Sequence, residues 1–298
     1  MQRIGKAHPP VGLKDDNASL AIPVRALTLM RHRSADTMSA AVEFRNVSFA
    51  TPQGRLLLDG ISLALEEGTT TAVLGRSGSG KTTLLRTVNR MVQPTSGEVL
   101  VHGESTGGRA NLIALRRGMG YVIQETGLFP HFNVERNVGL VLEAEGRPRQ
   151  ERIRRSHEML SIVGLDPAIF AQRFPHQLSG GQRQRVGLAR ALAAEPKILL
   201  MDEPFGALDP LTRAEMQDML RAVLSRLKKT VLLVTHDLDE ALYLAQRIVL
   251  MQEGKPIASL DAADFLQSRQ SEIVSYVRAF HRGERSAASA APTGEVAE

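Results

Sequence analysis

Apolar and polar positions along this chain repeat with two different periods, and the changes of period mark out its elements. AVEFRNVSF (Ala41–Phe49) and RLLLDGISLALEE (Arg55–Glu67) alternate apolar and polar residues over part of their length. That pattern predicts antiparallel strands with one solvated face. TTTAVLG (Thr69–Gly75), KILLMDE (Lys197–Glu203) and TVLLVTHD (Thr230–Asp237) are instead short continuous apolar runs, of the kind buried in a parallel sheet. The period lengthens in ERIRRSHEMLSIVGL, where Ile153, Leu160 and Val163 share a helical stripe and Gly164 stands as a C-terminal cap. It does so again in LTRAEMQDMLRAVLSRLKK, which repeats Met216, Leu220, Val223, Leu224 and Leu227 on one face. The expected architecture is an α/β core with an antiparallel β layer at its front and a helical insertion from about residue 129 to 195.

The ends depart from this regularity. Residues 1–40 carry Pro9, Pro10, Asp15, Asp16 and Asn17 with no sustained period and read as a disordered extension. Met30 and Met38 precede the first strand-like run and offer alternative starts. Residues 266–282 read as a C-terminal helix and 283–298, small and polar, as a disordered tail.

Composition narrows the function classes. Cysteine is absent from the 298 residues, which removes disulfides and thiolate metal sites. No apolar run approaches the roughly 18 residues that span a bilayer, and the first residues lack the apolar core of a secretory signal. A cytoplasmic protein is expected, with any membrane span supplied by another chain. The net charge of +5 is spread over scattered Lys and Arg and does not point to nucleic acid.

The strongest chemical signal is GRSGSGKTT: Gly75, Arg76, Ser77, Gly78, Ser79, Gly80, Lys81, Thr82 and Thr83. An apolar strand leads in and a helix-forming run follows, the context a phosphate-binding loop requires. Glycines turn successive N–H groups toward a polyphosphate, Lys81 adds a point charge, and the Thr82 hydroxyl suits Mg²⁺. Asp202 and Glu203 end the second apolar run, where the first acid suits Mg²⁺ and the second can polarise an attacking water. His236 ends the third run and can donate to a γ-phosphate. Gln124 follows a further β-like stretch, and its side-chain oxygen suits Mg²⁺ or the water. LSGGQRQRV places Ser179, Gly180, Gly181 and Gln182 at a helix start, a second anion site. Two copies packed head to tail let the ATP of each loop meet the other copy's Ser179 helix.

This ordered set, with Ala207-Leu208-Asp209 added, resembles the ABC transporter ATPase family over roughly residues 41–265. The resemblance implies a P-loop NTPase (RecA-like) core with an antiparallel β subdomain and an inserted α-helical subdomain. It implies that Phe49 stacks on adenine, Glu203 is the general base, His236 the γ-phosphate switch and Asp209 a link across the dimer. ATP and Mg²⁺ are the implied ligands. The implied partners are a transmembrane permease, a second copy of the chain and, indirectly, a solute-binding protein, at the cytoplasmic face of the inner membrane.

YVIQETGLFPHFNVERNV, VGLDP, RFPHQL and MDEPFGALDPLTR together resemble bacterial importers of osmoprotectants and quaternary amines such as glycine betaine, choline, carnitine and proline. Several such relatives carry a C-terminal regulatory domain, for which no room is expected after SYVRAFHRG. An importer of amino acids or other small solutes, and a soluble non-transport ABC ATPase, remain the alternatives.

Overall fold

The computed structural model describes residues 40–108 and 111–289. The expected extension up to residue 39 and the tail from residue 290 lie outside the described residues.

The chain opens with a two-stranded antiparallel ribbon, β1 (Ala40–Ala50) and β2 (Leu56–Glu66), then enters the parallel sheet at β3 (Thr70–Leu74). The phosphate-loop sequence follows and runs into α1 (Lys81–Val88). Next come β4 (Ser96–Val101), the short β5 (Glu104–Ser105), α2 (Leu112–Arg117) and β6 (Met119–Val122). Helices then take over: α3 (Val134–Ala144), α4 (Arg149–Ile162), α5 (Pro167–Phe170) and α6 (Gly180–Leu192). The chain returns through β7 (Ile198–Asp202), α7 (Pro210–Leu227), β8 (Thr230–Val234), α8 (Leu238–Leu244), β9 (Arg247–Gln252) and β10 (Lys255–Asp261). It closes with α9 (Ala262–Phe265) and α10 (Ser271–Ser289).

Two sheets result. One is antiparallel, in the order β2-β1-β4-β5. The other runs β10-β9-β3-β8-β7-β6, parallel from β9 to β6 with β10 antiparallel on its edge. Register brings the ends of its central strands level: Val73 pairs with Val234, and Val234 with Asp202. The chain segments that carry the candidate chemistry therefore leave the sheet side by side, at the carboxyl ends where α/β sheets gather their ligands.

Alternation along the buried strands builds two cores. Ala72, Leu74, Leu199, Met201, Val231 and Leu233 face one way, into the helices. Val73, Ile198, Leu200, Leu232 and Val234 face the other, onto α1 and the antiparallel sheet. Both faces are buried, which explains why these strands read as unbroken apolar runs. In α4 the inner stripe is Ser156, Met159 and Leu160, continued by Val163 beyond the last turn, with Ile153 half-buried. Gly164 follows with φ of +72°, the left-handed position expected of a cap.

The end of the chain differs in detail from the sequence expectation. A turn at 266–270 separates α9 from α10, whose helix starts only at Ser271 and runs on to Ser289, past Gly283. Ala and Arg are strong helix formers, so the aperiodic composition that suggested a tail there does not prevent helix. Ile273 is buried, with Tyr276, Val277 and Phe280 packed beside the helical core.

Candidate functional site

The phosphate loop is wound so tightly that two of its glycines admit no side chain. Gly75 has φ of +155°, and a Cβ there would lie 2.4 Å from the Met251 carbonyl oxygen. Gly80 has φ of +97°, and its Cβ would lie 2.5 Å from the Leu57 carbonyl oxygen. Both positions therefore demand glycine on conformation and on space. Lys81 is the first residue of α1 and only 5% exposed. Its Nζ donates to the carbonyls of Gly75 (2.9 Å) and Arg76 (3.0 Å), folding the ammonium over the mouth of the loop. Burial pulls its pKa below the usual lysine range, opposed by the carboxylates of Glu203 and Asp202. The Ser79 hydroxyl is buried with no hydrogen-bond partner, an orphaned polar atom inside the cradle.

One residue on, the Thr82 hydroxyl donates to Asp202 Oδ1 at 2.7 Å, joining the start of α1 to the end of β7. Arg86, a turn further along α1, approaches the other Asp202 oxygen at 3.7 Å. Glu203 leaves the strand in a left-handed conformation, φ of +46°, while its N–H donates to the Val234 carbonyl at 2.9 Å. Such a conformation in a non-glycine residue costs on the order of 1–3 kcal/mol and persists where the surroundings over-determine it. The turn aims the carboxylate across the sheet edge: its Oε2 lies 3.4 Å from His236 Nδ1. Gln124 completes the group. A Cβ on Gly206 would sit 3.4 Å from Gln124 Nε2 and 3.8 Å from Glu203 Oε2, so these two side chains flank one glycine.

The second anion site lies elsewhere. Ser179 caps α6 in a reciprocal box: its Oγ accepts from the Gln182 N–H (3.2 Å), and Gln182 Oε1 accepts from the Ser179 N–H (3.0 Å). Ser179 and Gly180 are exposed, while Gly181 is pressed against α7, where a Cβ would come within 2.5 Å of Thr212. Asp209 caps α7 through its 3.1 Å bond from the Thr212 N–H. Contact with Thr212, hydroxyl first and then N–H, holds its carboxyl below the usual range.

The structure thus gathers Gly75–Thr83, Gln124, Asp202, Glu203 and His236 at the sheet edge, and Ser179–Gln182 beside the Asp209 segment. Among the described residues, no hydrogen bond or ion pair joins Ser179, Gly180 or Gln182 to the phosphate loop. Phe49 sits on β1 opposite Leu58, half-buried against the core under the antiparallel sheet.

Sequence reasoning missed the residues that lock these parts together. Gln184, buried in α6, donates to the carbonyls of Pro204 and Gln124, the latter at 3.4 Å. Arg190 donates to the carbonyls of Thr126 and Gly127, both at 2.7 Å. Buried Asn137 accepts from the Phe129 N–H and donates to the carbonyls of Phe129, Phe132 and Asn133. No local pattern distinguishes these side chains; only their burial, visible in the fold, does.

A glycine cradle with a buried lysine, a hydroxyl–carboxylate pair and a strand-end carboxylate beside a histidine define a phosphate-loop NTPase. The capped glycine tip on an inserted helical layer adds a second surface suited to anions. A family model described as ABC transporter matches residues 58–206. The choline transport ATP-binding protein OpuBA of Bacillus subtilis is 42% identical over 229 residues, 77% of this chain and 60% of its own length. The glycine betaine uptake system ATP-binding protein YehX of Escherichia coli is 44% identical over 234 residues, 76% of this chain and 75% of its own. The ATP-binding cassette MJ0796, solved as a dimer in a post-hydrolysis state with ADP and phosphate, superimposes with a TM-score of 0.67. It is 34% identical, over 74% of this chain and 98% of its own. This chain belongs to the ABC transporter family.

Proposed function

We propose that this chain is the ATP-hydrolysing subunit of an ABC importer that energises uptake of a small solute, a quaternary-amine osmoprotectant. The observation that carries hydrolysis is Glu203 held 3.4 Å from His236, at the same sheet edge where Thr82 meets Asp202. Nucleotide binding alone needs the cradle; a carboxylate beside a donor adds a base for water.

The loop from Gly75 to Thr83 fits a polyphosphate, for it offers inward N–H groups, the Lys81 ammonium and the orphaned Ser79 hydroxyl. Thr82, Asp202 and Gln124 present hard oxygens that suit Mg²⁺, which when bound supplies positive charge to the β- and γ-phosphate oxygens. No cluster of three or more His, Asp or Glu ligands occurs among the described residues, which fits a cation held partly by phosphate. Glu203 orients a water and accepts its proton as that water attacks the γ-phosphorus. His236 turns Nδ1 toward Glu203 and keeps Nε2 for the γ-phosphate, reporting its presence. Phe49 offers an aromatic face to adenine.

Ser179, Gly180, Gly181 and Gln182 serve the ATP of a second copy, and Asp209 links the two copies. Support comes from the tip's exposure, its separation from the loop within one chain, and the dimeric state of MJ0796. A transmembrane permease and a solute-binding protein complete the assembly at the cytoplasmic face of the inner membrane. No described helix is long and apolar enough to cross a membrane. The substrate class rests on the choline and glycine betaine relatives.

Two experiments test the reading. Purified protein should release phosphate from Mg-ATP, and absence of turnover with the permease present would refute it. Cells lacking the gene should lose uptake of labelled choline or glycine betaine; unchanged uptake would remove the substrate class.

A further inference from the structure

Helix α10 lies beyond the segment matched by the family model, yet it reaches the sheet edge where the chemistry is gathered. Its Tyr276 ring packs beside the helical core, and its hydroxyl donates to the His236 carbonyl at 3.3 Å. The hydroxyl therefore touches the switch residue that follows β8, the strand paired with β3. Beside it a cavity of about 530 Å³ opens between the phosphate loop and the first turns of α10, with Arg76, Ser77, Glu253 and Glu272 among its walls.

We propose that Tyr276 is a positioning residue for hydrolysis: its hydroxyl holds the His236 carbonyl and fixes the loop that sets His236 beside Glu203. The proposal rests on the assignment of Glu203 and His236 to ATP hydrolysis. Tyr276 acts through the His236 carbonyl, to which its hydroxyl donates. A backbone carbonyl displaced by a fraction of an ångström carries its side chain with it, and the contact between His236 and Glu203 has little slack at 3.4 Å. Burial, with the nearby Asp237 charge adding to it, pushes the phenol up to about 12. The hydroxyl accordingly stays protonated, and a donor, throughout the neutral range.

A purely structural role would belong to the ring, since α10 is seated by Ile273, Val277 and Phe280 as well. Tyr276→Phe keeps the ring and deletes the tie, so it separates the two roles. Two readings are taken on the full chain: steady-state ATPase kinetics, and amide hydrogen exchange at residues 235–237 without nucleotide. Y276F should lower kcat roughly fivefold, the size of one lost hydrogen bond, with KM for ATP and the melting temperature unchanged. Exchange at 235–237 should quicken by a similar factor while β3 and β8 stay protected. Unchanged exchange overturns the tie, and unchanged kcat overturns its role in hydrolysis. A fall in kcat matched by a lowered melting temperature returns Tyr276 to a packing role. If the unmodified protein fails to hydrolyse ATP, the hydrolytic assignment falls by itself, and the exchange measurement still decides the tie.

Discussion

The sheet edge and the tip of the helical layer both present donors suited to anions, but they are built in opposite ways. At the edge the chain holds its own donors: Lys81 is folded onto two carbonyls and the Thr82 hydroxyl onto Asp202. At the tip Ser179 and Gly180 stand in solvent, and the Ser179 side chain bonds only within its own capping box. A preorganised, half-enclosed cradle can bind phosphate by itself, because little ordering is left to do. An exposed helix start gains little from an anion in water, where solvent screens the dipole. The tip becomes effective once another surface covers it and brings the anion along. On the proposed reading, gripping and sensing assembly fall to different parts of one chain.

The largest effect should come from breaking chemistry while leaving both surfaces intact. Glu203→Gln keeps the shape of the strand end and removes the base. Hydrolysis should fall by roughly 10²–10⁴, the usual worth of a general base, while ATP binding persists and the dimer accumulates. Brisk turnover by E203Q in a phosphate-release assay would take the base away from Glu203. Breaking the tip comes next. Ser179→Arg adds bulk and charge at an exposed position, so the monomer should melt as before. Hydrolysis should drop by about 10²-fold through misplacement of the second copy. Normal turnover by S179R would show that the tip takes no part. Breaking the grip should be smaller in kcat and larger in affinity. Lys81→Ala removes a charged donor worth about 1.5–3 kcal/mol, so ATP should bind at least ~10-fold more weakly in a titration. Unchanged affinity would contradict the cradle.

The same contrast explains what could be read from the sequence. The edge was legible because its chemistry is contiguous: the glycine loop follows β3 directly, Asp202 and Glu203 end β7, and His236 follows β8. The continuous apolar runs announced strands buried on both faces, which the paired cores confirm. The tip was legible as a capped helix start, because Ser179 and Gln182 stand at the reciprocal spacing. Strand order was not legible. β8 lies between β3 and β7, and its pairing with β3 joins Thr70 to Val231 across more than half the chain; no local pattern encodes that choice. β9, with Arg247 and Gln252 at its ends, was not singled out. Gln184 and Arg190 escaped for a related reason. They act on carbonyls between 20 and 64 positions away, and the backbone atoms they recognise are the same in every residue.

The smallest effect concerns stability, and pH should confine it to the edge. Glu240 in α8 is 4% exposed; it accepts from the Thr235 hydroxyl and has its other oxygen buried without a partner. Burial pushes its carboxyl up to about 8; Asp237 and Glu203 add to the rise, while Thr235 and Arg213 oppose it. An unfolded chain ionises this group near its ordinary value of 4.5. Below that pH both states are protonated and Glu240 carries no penalty. As pH rises from about 4.5 through about 8, the unfolded state loses its proton first, and stability declines across that window. Glu240→Gln removes the ionisation and keeps the shape. The variant should melt close to the wild type near pH 4.5 and above it near pH 8. A difference that stays flat with pH would mean that Glu240 ionises normally in the fold. Because Glu240 bonds Thr235 and Asp237, on either side of His236, the pH-dependent gain should be accompanied by slower amide exchange at 235–240 and none at 179–182. A gain spread evenly over both regions would dissolve the division between edge and tip.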